Sequence, residues 1–71
     1  MKITSSNDFG KAIKTRRKML GFTQAYLAEY TGFSTSFISN LENGKETAEL
    51  GKAILLMNLL GIDLEAVNRG E

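Results

Sequence analysis

The sequence predicts an all-α fold of four short helices, closed by a C-terminal segment that is either a short strand or a short fifth helix. Two observations predict it. Cap-forming residues stand ahead of four stretches whose apolar positions repeat at helical spacing: Ser5, Thr23, Ser34 and Thr47. Gly21, Gly32 and the pair Asn43-Gly44 then close the first three, being residues that tolerate the left-handed backbone of a helix exit. With 71 residues, no proline, and no linker, repeat or low-complexity run, the chain reads as one domain over residues 1–71.

The first helix follows Ser5-Ser6-Asn7-Asp8, which resembles a capping box with Asp in place of Glu or Gln, and runs to about Met19. Phe9, Ala12, Ile13 and Leu20 are its inward positions. In the second, Thr23 caps and Ala25, Leu27 and Ala28 face inward. In the third, Ser34 caps and Ile38 and Leu41 face inward, leaving Thr35, Ser36, Ser39 and Asn40 outward. A fourth helix is predicted from about residue 48 to 60 behind Thr47, with Leu50, Ala53, Ile54, Met57 and Leu60 closing over the first three. Leu55, Leu56 and Leu59 fall on a second apolar stripe, which calls for a further partner surface. The segment Ile62-Asp63-Leu64-Glu65-Ala66 alternates like a half-exposed strand that needs an edge to pair with, although Asp63 could equally cap a short helix. Met1-Lys2-Ile3-Thr4 is a candidate for one more short strand.

A chain this small buries only roughly 60–65% of its unfolded surface, so it is marginal alone. Cysteine is absent, which excludes disulfides and thiolate metal sites and fits a reducing cytoplasm. Histidine is absent too, removing the usual metal ligand and general base, and no carboxylates cluster at ligand spacing. No enzyme, metal or cofactor is therefore expected. No apolar run nears the ~20 residues of a membrane span, and no signal-peptide core opens the chain. A soluble cytoplasmic protein is expected.

The net charge of +1 hides an asymmetry. Residues 1–20 carry Lys2, Lys11, Lys14, Arg16, Arg17 and Lys18 against Asp8, a balance of +5. Residues 46–71 carry Lys52 and Arg69 against Glu46, Glu49, Asp63, Glu65 and Glu71, a balance of −3. One end suits a polyanion that the other repels. Beside it, Thr35, Ser36, Ser39 and Asn40 present short neutral donors and acceptors on one helical face, the chemistry that reads base edges in a DNA major groove. Asn40 can pair bidentately with adenine, whereas the shorter Thr35 and Ser36 need close approach or bridging water. Gln24 opens the second helix, where unpaired N–H groups favour a phosphate.

The order LGFTQAYLAEYTGFS followed by FISNLENGK, behind a basic first helix, resembles the lambda-repressor-like helix-turn-helix family of the Xre or Cro/cI type. The resemblance spans about residues 9 to 61, with the helix-turn-helix itself at 23–42. Within the family the chain is most similar to HipB-like antitoxins, on its start MKITSSNDFGKAI, the run of FISNLENGK into a leucine-rich helix, and the ending LGIDLEAV. The resemblance implies that Thr35, Ser36 and Asn40 read bases, that Gln24, Asn43 and Lys45 meet phosphates, and that Ser34 and Ser39 make peripheral contacts. Lys14, Arg16 and Lys18 are candidates for further backbone contacts. Arg17 is expected to pair with Glu42 in a structural role, and Phe37 either fills a groove beside the fourth helix or lies on a thymine methyl. The resemblance further implies a homodimer reading a palindromic double-stranded operator, joined through residues 48–67 by Leu55, Leu56, Leu59, Ile62, Leu64 and Ala66. In HipB-like antitoxins the tail strand pairs with its copy across a two-fold axis; in phage-type repressors it is a fifth helix. The expected function is an autoregulating repressor and antitoxin of a HipA-like kinase toxin. A stand-alone regulator and a protein-interaction module without DNA binding are the alternatives.

Overall fold

Four helices follow one another in the computed structural model, which describes residues 1–70: α1 (Ser6–Met19), α2 (Gln24–Thr31), α3 (Thr35–Glu42) and α4 (Leu50–Leu59). Glu71, counted above in the acidic balance, lies outside the described residues. The ends of these helices are set by local chemistry. Ser5 Oγ accepts the Asp8 N–H at 3.1 Å, but the Asp8 carboxylate returns to the N–H and hydroxyl of Thr4, both at 3.1 Å. The capping box is thus displaced outward by one residue. The Thr4 bonds also hold the Asp8 carboxyl below its ordinary pKa.

At three exits the chain uses the same paired closure. Gly21, Gly44 and Gly61 have φ of 79°, 86° and 75°. Each glycine N–H bonds back to Lys18, Leu41 or Asn58, and the following N–H reaches Arg17, Asn40 or Met57. This double bond-back satisfies carbonyls that a bare helix end would orphan. It also aims Phe22 and Ile62 at the core.

Ile13, Leu27, Ile38, Leu41, Ala53, Leu56, Met57 and Leu60 are buried, and Ile3, Phe9, Phe22, Phe33, Phe37 and Ile62 pack around them. Several inward expectations change here. Leu56 is fully buried and leaves the surplus stripe, because at about 100° per residue it lies only about 60° from Ala53. Leu50 is 68% exposed at the first residue of α4, ahead of Ala53, where the helix enters the core. Thr47 does not cap; Glu49 occupies that position without a side-chain bond. Leu20 and Ala25 are exposed as well, Leu20 because it already belongs to the cap of α1.

The tail is neither helix nor strand in the single chain. Ile62 donates to the Met57 carbonyl and packs inward. From Asp63 to Val67 no backbone bond is made among the described residues, which removes the fifth helix and leaves a segment without a backbone partner. Residues 1–4 form no strand either; Met1, Lys2 and Ile3 lie beside Asp63, Leu64, Glu65 and Val67. Alternation chooses which side chains share a face, but a ladder needs a second backbone. No helix among the described residues is long and apolar enough to cross a membrane.

The crossing of α1 and α3 turns on Gly10. A Cβ there would meet the carbonyl oxygens of Leu41 and Glu42, the latter at 2.6 Å. Ser6 Oγ donates to the Gly44 carbonyl at 2.9 Å, tying the same two elements together. Gly10→Ala should therefore lower the melting temperature by about 4–20 °C, taking an overpacking cost of roughly 1–3 kcal/mol. Helix propensity alone would raise it, since alanine is worth about 1 kcal/mol over glycine in a helix interior. Thermal unfolding followed by circular dichroism separates the two, and a stabilised variant would show that the helices can move apart at no cost.

Candidate DNA-binding site

Two eight-residue helices carry the site, and neither is long enough to persist in water unaided. Their caps fix where they begin. Thr23 Oγ1 accepts the Tyr26 N–H and Ser34 Oγ accepts the Phe37 N–H, each at 3.0 Å. Between them, the Thr31 hydroxyl donates to the Leu27 carbonyl at 2.6 Å and accepts the Phe33 N–H at 3.1 Å. Gly32, at φ 80°, makes the turn.

Ile38, Leu41 and Glu42 are buried, so α3 has one face against the core and another free. Thr35, Ser36 and Asn40 are exposed together on the free face, and Ser39 is half-buried at its margin. Asn43 and Lys45 are exposed just beyond the helix. Phe37 is half-buried edge-to-face against Phe33, with centroids 5.3 Å apart, and belongs to the packing around the core.

Beneath this face lies a buried polar cluster. The Arg17 guanidinium forks onto Glu42, Nε to Oε2 at 2.6 Å and Nη2 to Oε1 at 2.9 Å, while Nη1 donates to the Phe22 carbonyl at 2.8 Å. Gln24 Nε2 donates to Glu42 Oε1 at 3.0 Å. Arg17 and Glu42 are only 7% and 5% exposed, and no buried side-chain polar atom among the described residues is left unpaired. Burial pushes the Glu42 carboxyl up, but the bonds from Arg17 and Gln24 and the charges of Arg17 and Lys14 outweigh it, and its pKa falls below the ordinary value.

The Gln24 bond to Glu42 has no local sequence signal, because the two are 18 residues apart. Arg16 also serves the end of α4: its Nε donates to the Leu60 carbonyl at 2.8 Å, which leaves only its Nη groups for a phosphate. A cation near unsatisfied helix-end carbonyls is a common cap, but nothing in the sequence marks which helix end Arg16 will reach. Lys14 is exposed and close enough to Glu42 to contribute to its field.

A capped helix pair with an uncharged polar outer face, braced by an arginine–glutamate pair, is the geometry of one known class. The helix-turn-helix family matches residues 13–67. The chain belongs to that family. It is 33% identical over 70 residues to an HTH-type transcriptional regulator of Sinorhizobium fredii, covering 99% of this chain and 92% of that protein. It is 49% identical over 39 residues to a competence pilus inhibition repressor of Acinetobacter baylyi, covering 55% and 36% respectively. Among solved structures it resembles HipB in a complex with an O2 20mer, with a TM-score of 0.86, 28% identity and 99% and 97% coverage. It resembles equally a HipA–HipB–O2–O3 complex, with a TM-score of 0.86, 27% identity and 99% coverage of both chains. The protein is a helix-turn-helix transcriptional regulator of the HipB and Xre type, a group of regulators and not of enzymes.

The buried pair predicts a specific pH behaviour. Arg17→Ala leaves Glu42 charged and without its strongest partner, at about 3–5 kcal/mol if the pair is fully desolvated. In the native protein a depressed Glu42 pKa adds stability above the unfolded-state value, lost as pH falls through the folded-state value. In the variant burial dominates, the carboxyl pKa rises, and protonation relieves the penalty. The difference in melting temperature between the two should thus be largest near pH 7 and shrink toward pH 4. A gap constant with pH would mean that Arg17 contributes packing alone.

Proposed function

We propose that this protein is a homodimeric, sequence-specific repressor that binds a palindromic operator in its own promoter and acts in the cytoplasm as antitoxin to a HipA-like kinase. The observation that carries the DNA reading is the free face of α3: Thr35, Ser36 and Asn40 are exposed side by side and uncharged, on a helix whose other face is locked to α1. Asn40 reads a base by a bidentate bond, and Thr35 and Ser36 act at short range or through water. Gln24, with one amide hydrogen on Glu42, keeps a hydrogen and its carbonyl for the DNA side. Ser34, Ser39, Asn43, Lys45 and Lys14 supply peripheral and phosphate contacts. The toxin partner rests on the likeness to HipB, one of whose structures holds HipA. The likeness to an HTH-type transcriptional regulator of Sinorhizobium and to a competence pilus inhibition repressor of Acinetobacter supports a second reading as a stand-alone repressor.

The dimer is supported by what the single chain leaves uncovered. Leu55, Leu59 and Leu64 are 48%, 43% and 45% exposed, Ala66 is exposed, and residues 63–67 have unpaired backbone groups. An isologous contact through α4 and residues 62–67 would cover these leucines and pair the tails, with Ile62 at its inner edge and Leu56 in the core behind it. Two recognition helices then face successive half-sites about 34 Å apart.

A gel shift on the upstream sequence of the gene tests the DNA reading, and a pull-down from the native host tests the toxin. Asn40→Ala should relax operator choice by about 1–3 kcal/mol of discrimination. Lys45→Ala should weaken operator and scrambled duplex alike and lower the salt slope by about 0.9. Equal losses on both duplexes for Asn40→Ala would remove it from the base-reading set.

Assembly is checked by light scattering at micromolar concentration. The full chain should be a dimer, and truncation after Gly61, or Leu59→Glu, should shift it toward monomer and weaken operator binding with it. A truncated protein that remains fully dimeric would eliminate pairing of the tails.

A further inference from the structure

Lys52 is out of place in the acidic half of the chain. Between residues 46 and 70 it shares the cationic role only with Arg69, against Glu46, Glu49, Asp63 and Glu65. Its ammonium is held in one spot from several sides. Nζ lies 5.6 Å from the Phe33 ring centroid and 5.7 Å from that of Phe37, within cation–π range of both. Glu49 Oε2 is 3.4 Å away, in an i,i+3 pair along the exposed side of α4.

The position matters because of what shares it. Phe37, Glu49 and Lys52 line a groove between α3 and α4 together with Ser34, Ser36, Asn40 and Lys45. Those last four are among the residues to which the proposed base and phosphate contacts are assigned. A duplex laid against Ser36 and Asn40 brings a backbone strand over this groove, with Lys45 and Lys52 both on its walls. A free lysine gives up much rotamer freedom when it grips a phosphate. Lys52 has already given up part of it on the two rings, which accept no proton and leave its N–H donors available. With its side chain still 47% exposed, it remains open to a ligand.

We propose that Lys52, held over the rings of Phe33 and Phe37, is a DNA-backbone anchor that grips a phosphate across the groove from Lys45. Glu49 holds the ammonium in the free protein and gives way to the phosphate on binding. Phe37 is then a positioning residue that does not itself touch a base. The inference rests on the DNA-binding reading above and adds a contact from α4 to it.

The test is fluorescence anisotropy of the full chain with operator and scrambled duplexes from 50 to 200 mM salt (about the range over which backbone contacts dominate). Lys52→Gln should weaken both duplexes by the same factor, lower the salt slope by about 0.9, and leave the melting temperature unchanged. Lys52→Arg, which keeps the charge and stacks on aromatic rings, should restore both affinity and slope. Wild-type affinity and slope in Lys52→Gln, with the wild-type protein binding normally, would overturn the anchor and leave the DNA reading standing. A loss confined to the operator would overturn it too, since a phosphate contact carries no base information. A wild-type protein that binds no duplex at any salt would overturn the DNA reading and the anchor together.

Discussion

The recognition unit depends on one buried ion pair. Arg17 belongs to the last turn of α1 and Glu42 is the last residue of α3, so the fork between them fixes the helix that faces outward to the helix that packs behind it. Gln24 joins at the start of α2 and the Phe22 carbonyl at the loop before it. All four parts of the helix-turn-helix scaffold meet at one carboxylate and one guanidinium. Desolvating such a pair offsets most of its attraction, and an apolar replacement could match its stability. What an apolar contact would not supply is direction: two forked bonds and an amide set the angle of α3 as well as its depth.

The backbone around the pair is arranged to let it form. Gly10 permits α1 to approach the last carbonyls of α3, and the Ser6 bond to Gly44 closes the same seam from the other end. The apolar core alone would leave α3 free to roll about its axis, because Ile38 and Leu41 are only two knobs on a helix of eight residues. The polar cluster above and the close backbone crossing remove that freedom. Under the proposed function, a helix that pairs bidentately with a base would need this rigidity.

Charge and shape divide the molecule along its length. Of the cations of α1, Arg17 and Lys14 lie by Glu42 of α3, while the acidic tail leaves the core after Ile62 and makes no backbone bond from Asp63 to Val67. Lys52 is the exception that brings α4 into the charged face, and it is held there by aromatic rings that are themselves anchored in the core. Arg16, one residue from Arg17, turns to the carbonyl end of α4 and braces the point where the tail departs. Neighbouring arginines in the sequence thus serve the ends of two different helices, α4 and α3.

The sequence by itself determined the four helices, the caps of the first three and the face of α3 that stays free. Those features follow from interactions among residues a few positions apart: Thr23 to Tyr26, Ser34 to Phe37, the glycine exits, and the period that puts Ile38 and Leu41 inward. The tertiary structure alone decided the destinations of long side chains and the depth of each apolar stripe. Arg16 reaches a carbonyl 44 residues away and Gln24 a carboxylate 18 away. Leu56 sinks to the centre while Leu50 emerges, although both lie on apolar stripes of one helix. Periodicity gives the angle of a residue about its helix, but burial depends on how far along that helix its neighbours extend. For the tail, the alternation of Ile62 to Ala66 names a strand-like face and no more, because the hydrogen bonds that make a strand belong to two backbones.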